Sequence, residues 1–148
     1  MKRYSIHLAL FFLGTAVLAA SAGDRDWPQY LGLHRNSTSD QKGLLRTWPA
    51  YGPAVLWSVP VGKGFGGPVV TDGKVYLLDR NDKVGDMLRC LDLATGKELW
   101  QFAYDAPGTA MFPGSRSVPA VDGNHVYSCG HNGDLYCIEG AGRRRKRL

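Results

Sequence analysis

The chain has 148 residues, 44% hydrophobic and 21% charged, which suits one modest globular domain and excludes a disordered or fibrous chain. The net charge of +5 sits at the two ends: without Lys2, Arg3 and the run Arg143, Arg144, Arg145, Lys146 and Arg147, 11 basic residues face 13 acidic ones. The body is slightly acidic, so the basic overall charge does not mark a nucleic-acid surface.

The chain opens with an export leader. Lys2 and Arg3 give a positive start, Leu8–Leu18 is a short apolar run, and Ala20-Ser21-Ala22 is a small-residue cleavage site before Gly23. The run is too short to span a bilayer comfortably, so residues 1–22 read as a cleaved signal peptide, and no stable membrane span is expected after cleavage. The mature protein is expected outside the cytoplasm, periplasmic or extracellular. Residues 23–53 form a turn-rich segment with aromatics beside prolines, Trp27-Pro28-Gln29-Tyr30 and Trp48-Pro49, expected to pack those aromatics on the body; Gln41–Thr47 could form one helical turn. Asn36-Ser37-Thr38 is a glycosylation sequon, idle in a bacterial protein.

From Ala54 the chain reads as β. Val55–Val59 is rich in strand formers, and Gly62-Lys63-Gly64-Phe65-Gly66-Gly67 is a flexible connection. Pro68–Thr71 and Lys74–Leu78 flank an Asp72-Gly73 hairpin turn; Arg80–Asp86 reads as a polar loop; Met87–Asp92 and Glu98–Tyr104 are two further strands. Asp92 is placed to cap the turn Ala94-Thr95-Gly96-Lys97, where Gly96 supplies a left-handed conformation. After a longer loop, Asp105–Arg116, the pattern restarts. Pro119-Ala120-Val121 matches Pro68-Val69-Val70, Asp122-Gly123 matches Asp72-Gly73, Val126-Tyr127 matches Val75-Tyr76, and Leu135–Glu139 matches Leu88–Asp92. A β-unit recurring at this length marks a propeller or a similar array. The second unit then runs into Gly140-Ala141-Gly142 and the basic residues, so its fourth strand and tryptophan are expected to be missing, with 140–148 a solvated tail left by a frameshift or early stop.

The pattern Asp72-Gly73, Val75-Tyr76, Leu91-Asp92, Thr95-Gly96-Lys97 and Trp100, with Trp57 at the preceding unit's tryptophan position, resembles the PQQ-type (quinoprotein dehydrogenase-like) β-propeller repeat over roughly residues 26–139. The resemblance implies an all-β fold: a partial propeller of about one complete and one partial four-stranded blade over 54–139. It also implies that Trp57 and Trp100 dock adjacent blades, each offering its indole N–H to a backbone acceptor.

No catalytic, cofactor-binding or metal residue is assigned. The Gly62–Gly67 run lacks the Lys-Ser or Lys-Thr and helix of a phosphate loop. His7, His34, His125 and His131 have no metal spacing, His125 and His131 read as surface residues, and Ser115-Arg116-Ser117 reads as a loop. Cys90, Cys129 and Cys137 read as buried small hydrophobes. A two-residue Asn132-Gly133 turn would pair Cys129 with Tyr136 and Ser128 with Cys137, putting the two sulfurs on opposite faces. Family enzymes hold PQQ on the axis of an eight-bladed ring, often with calcium and a vicinal disulfide. This chain has no adjacent cysteines and too few blades, so no cofactor is expected. The expected role is a non-catalytic scaffold or protein-interaction module, with other proteins as partners through blade edges or loops and no nucleic acid. The alternative is an N-terminal fragment of a PQQ-dependent dehydrogenase.

Overall fold

A computed structural model describes residues 26–109, 111–142 and 145–148. The export leader, residues 1–22, and His7 within it lie outside the described residues. Among the described residues there are eight strands: β1 Val69–Thr71, β2 Lys74–Asn81, β3 Gly85–Asp92, β4 Glu98–Ala103, β5 Ala120–Asp122, β6 His125–Cys129, β7 Leu135–Glu139 and β8 Arg145–Arg147. They form two four-stranded antiparallel meanders, β1-β2-β3-β4 and β5-β6-β7-β8, which do not close into a ring. This is the all-β partial propeller expected from the repeat.

Turn chemistry sets the strands. Asp72 and Gly73 both have positive φ, 49° and 68°, as a two-residue hairpin turn matched to strand twist requires. In the second unit Asp122 pairs with His125 as the last residue of β5, so Gly123-Asn124 makes the turn and Asp122 stands where Thr71 does in the first. The Asp-Gly match is therefore displaced by one residue.

The core lies between the sheets. Tyr76, Leu78, Leu88, Cys90, Phe102 and Tyr104 alternate onto one face of the first sheet, where they pack with Val126 and Ile138 of the second. Tyr136 of β7 inserts its ring edge-on between Phe102 and Tyr104, at centroid distances of 4.9 and 5.0 Å.

Several expectations are corrected. Val55–Val59 has no place in either sheet, and Val55 and Leu56 are 82% and 84% exposed: strand-forming residues make no strand without a neighbour to pair with. Gln41–Thr47 forms no helical turn. Of the early aromatics only Trp27 packs on the body, whereas Tyr30 and Trp48 are exposed. Trp27 N donates to Val70 O, Val70 N returns a bond to Trp27 O, and Val121 N donates to Pro28 O, so residues 27–28 bind the free edges of β1 and β5 together. The Arg80–Asp86 loop shrinks to a turn at 82–84, with Arg80 and Asp86 inside strands.

The fourth strand of the second unit is present. Arg145, Lys146 and Arg147 pair with Ile138, Cys137 and Tyr136, so part of the basic tail is a strand, though it carries no tryptophan. The outer edge of β7 exposes a row of backbone donors and acceptors that recruits this segment despite its charge. Arg145 lies over the Phe102 ring at 5.0 Å, and Arg147 pairs with Asp134.

Candidate functional site

The most elaborate chemistry in the molecule lies on the seam between the two sheets. The repeat creates its first part. Trp100 leaves β4 and donates its indole N–H to Gly140 O at 2.9 Å, with its ring against Gly142. Trp57 does the same one unit earlier, donating to Leu93 O at 2.9 Å with its ring against Gly96. Both glycines have φ of 71°, and a Cβ on either would stand within 2.8 Å of the indole, so conformation and close approach both call for glycine. Asp92 caps the turn that presents Gly96: its Oδ1 accepts from Thr95 N at 2.8 Å and from Thr95 Oγ1 at 2.7 Å. The Thr95 hydroxyl, then the Thr95 backbone N–H, hold the Asp92 carboxyl below the usual carboxylate range.

The second part is a buried polar cluster that hydropathy reads as loop. Arg80 and Asp86 face each other across the β2–β3 hairpin and are 3% and 1% exposed. Arg80 Nη1 lies 3.2 Å from Asp86 Oδ2, and Nη2 donates to the carbonyls of Ala106 and Gly108 at 3.1 and 2.7 Å. Asp86 also accepts from Ser115 Oγ and from His131 N, each at 2.5 Å. One carboxylate thereby ties β3 to the loop before the second sheet and to the β6–β7 turn. Beside it Asp79 Oδ2 accepts from Gly62 N at 2.6 Å and from Arg89 Nε at 2.8 Å. Burial of these charges is offset by the partners they engage, although Asp79 Oδ1 and Arg80 Nε make no hydrogen bond.

The glycine-rich connection is the third part. It is hydrogen-bonded to both units rather than flexible: Lys63 N and O pair with Arg80, and Phe65 N donates to Ser115 O at 2.8 Å. A Cβ on Gly62 would meet Arg80 O at 2.5 Å, and one on Gly66 would collide with Ser117 O. These glycines serve backbone-to-backbone approach, and Ser115 is a buried strut.

The cysteines differ from expectation. Tyr127 faces Cys137 and Cys129 faces Leu135, so Cys129 and Cys137 share a face. The loop has three residues, His131-Asn132-Gly133, closed by Gly133 N to Gly130 O and Gly130 N to Asp134 O, with Gly133 at φ 86°. That turn shifts the register by one residue relative to a two-residue Asn-Gly hairpin. All three thiols are free; Cys90 is sealed, while Cys129 and Cys137 are only partly buried.

Open clefts also line the described residues. One, about 590 Å³, is lined by Val61, Lys63, Asp82, Lys83, Met87 and Arg89 on the face of the first sheet turned away from the second. Its charges are internally matched: Lys63 lies 3.1 Å from Asp82, and Arg89 is held by Asp79 and Glu98. Another, about 360 Å³, is an apolar notch between Phe65, Phe112 and Arg116. Among the described residues no group of three or more His, Cys, Asp or Glu could hold a metal ion, and no helix is long and apolar enough to cross a membrane. His125 and His131 are exposed.

The seam is thus assembled as a blade-to-blade joint, in which indole and turn glycine recur in register with the sheets. No curated protein matches the chain. A family model described as outer membrane protein assembly factor BamB, a PQQ-repeat family, matches residues 34–147. The docking tryptophans, the two four-stranded sheets and that match together place the chain in the BamB-like PQQ-repeat β-propeller family.

Proposed function

We propose that this chain is an exported, non-catalytic propeller module that binds other proteins through sheet edges and loop rims. One observation carries the reading: the buried ionisable groups of the seam hold strands together. Asp86 takes Arg80, Ser115 and His131, and Asp79 takes Arg89 and Gly62 N, so the interior carboxylates are engaged in structure. The surface suits partners. Val55, Leu56, Phe65, Met111 and Phe112 are each at least 58% exposed, more large apolar side chains than a finished surface needs. The leader, residues 1–22, supports export.

Titrating the purified chain with PQQ and calcium, then assaying dye reduction with alcohols and aldoses, tests the non-catalytic role. No saturable binding and no turnover are expected; substrate-dependent dye reduction would overturn it. Expression in a Gram-negative host should yield a mature product beginning near Gly23. Photo-crosslinking from positions 56 and 65 in that envelope should give discrete protein adducts. Absence of any adduct at both positions would remove the partner reading.

A further inference from the structure

We infer that Asn132 is a self-modification site: Gly133 attacks its side chain, the amide nitrogen leaves as ammonia, and the aged turn lets go of the first sheet. The chain carries Asn36, Asn81, Asn124 and Asn132, followed by Ser37, Asp82, His125 and Gly133. The first three are guarded. Asn36 Oδ1 accepts from Thr38 N at 3.0 Å and from Thr38 Oγ1 at 2.7 Å, and Asn81 Oδ1 accepts from Lys83 N at 3.0 Å. Asn124 Oδ1 lies against Gly140, where a Cβ would stand 2.8 Å from it, and Gly140 N donates to Asn124 O at 2.7 Å. Each of these asparagines also precedes a residue whose side chain crowds the backbone nitrogen that would have to attack.

Asn132 has none of these guards. It is exposed in the middle of the loop His131-Asn132-Gly133, and its side chain makes no hydrogen bond among the described residues. Gly133 is exposed as well, and even an added Cβ there would meet nothing within 4 Å, so the approach to Asn132 is open. Gly133 N donates to Gly130 O at 3.0 Å. That is a single bond at an exposed loop tip, and brief opening of the turn frees the nitrogen.

Once freed, Gly133 N gives its proton to water and bonds to Asn132 Cγ. The Cγ–Nδ2 bond breaks, and the nitrogen takes up a proton and leaves as ammonia, closing a five-membered imide. Water then opens the ring. Cleavage between Cγ and Gly133 N gives aspartate; cleavage between Gly133 N and the Asn132 carbonyl carbon gives isoaspartate, whose main chain runs through Cγ. No oxidant or reductant is consumed. The consequence reaches the seam. His131 N donates to Asp86, the buried carboxylate of β3 that also holds Arg80 and Ser115, and a Cβ on Gly130 would stand 2.7 Å from the Tyr104 ring. Gly130 and His131 thus rest on the first unit. Isoaspartate adds one main-chain carbon to a loop whose closures, Gly133 N to Gly130 O and Gly130 N to Asp134 O, fit three residues. The widened turn pulls His131 N away from Asp86.

The test is incubation of the full chain, folded and in urea, at mildly alkaline pH, followed by peptide mass mapping and enzymatic methyl labelling of isoaspartate. In the folded chain, conversion of amide to acid should appear at Asn132 ahead of every other asparagine. It should run about fivefold slower than in urea, because one exposed hydrogen bond guards the nitrogen. Asn132→Gln, whose longer side chain cannot close the five-membered ring, should lose the isoaspartate label at that position. Hydrogen exchange at His131 N–H should be faster in the aged chain than in Asn132→Asp, which adds the charge without the extra main-chain carbon. A folded chain that leaves Asn132 intact would overturn the inference. So would conversion of Asn36, Asn81 or Asn124 at an equal rate, or a His131 N–H that exchanges no faster in the aged chain than in the parent.

Discussion

Trp57 and Trp100 make the same contact in successive units: each indole N–H donates at 2.9 Å to a backbone carbonyl, Leu93 or Gly140, and each ring lies on a glycine of φ 71°. The joint between blades is therefore a repeated device, and its strength is measurable. Trp100 is partly buried and packs on Tyr76 at 5.9 Å. Trp100→Ala should cost about 3 kcal/mol, the low end for truncating a core tryptophan, read as the change in urea unfolding free energy. Trp100→Phe, which keeps a ring and loses the N–H, should cost about 1–2 kcal/mol. Equal unfolding midpoints for parent and Trp100→Ala would mean the indole carries no docking energy.

Gly96 tests the same joint from the other side. An alanine there must hold φ 71° and place its Cβ 2.6 Å from the Trp57 ring. The backbone strain alone is about 1 kcal/mol, and the displaced indole adds the loss of its bond to Leu93 O. Gly96→Ala should therefore lower stability by more than about 1 kcal/mol and red-shift the tryptophan fluorescence. Gly73→Ala is the control: it has positive φ but open space around its Cβ, so it should show the strain without the spectral change.

Arg80 and Asp86 are opposite charges confined to one buried hairpin. Asp86→Ala leaves the buried Arg80 guanidinium with Asp82 Oδ1, 3.4 Å from its Nε, as its remaining carboxylate, removes the acceptor for Ser115 and His131 N, and should cost about 3 kcal/mol. Arg80→Met with Asp86→Leu should cost less than the sum of the single changes, because neither leaves a lone charge behind. Chemical denaturation of the four proteins closes the cycle. Strict additivity would show that the two side chains do not interact.

The same pair shows what the sequence could and could not convey. The meander of the first unit and both tryptophan docks were legible because they follow a local pattern repeated at a fixed offset, and the Asp92 cap because Asp, Thr and Gly at that spacing make a turn by themselves. That offset alone places Cys137 opposite Tyr127, as Cys90 is opposite Tyr76, and it agrees with the structure. The Asn132-Gly133 dipeptide suggested a tighter turn and the wrong register, since a type of turn depends on how Gly130 and Asp134 close it. Arg80 and Asp86 looked like loop because hydropathy scores each residue alone and cannot see that two charges neutralise each other across a hairpin. Val55–Val59 and Arg145–Arg147 reverse the usual propensities for one reason. Pairing is decided by whether a free edge lies alongside, and the edge of β7 is nearest the basic run.

Alkaline stability offers a last test, centred on Cys90. Burial pushes its thiol up from 9.0 to about 11, outweighing the Tyr76 hydrogen bond and the nearby Lys74 charge, which both favour the thiolate. The native state thus keeps a proton that the unfolded chain releases. The associated stability is complete below pH 9 and is lost as pH rises from 9 towards 11. Burial also raises the Tyr76 and Tyr104 phenols above their ordinary value of 10, so the decline continues past the thiol's window. The melting temperature should hold steady to about pH 9 and then fall, and Cys90→Ala should flatten the first part of that fall while lowering the plateau through its lost packing volume. A melting temperature in Cys90→Ala that falls between pH 9 and 11 as steeply as in the parent would show that the thiol is hydrated and that the seam is not sealed at Cys90.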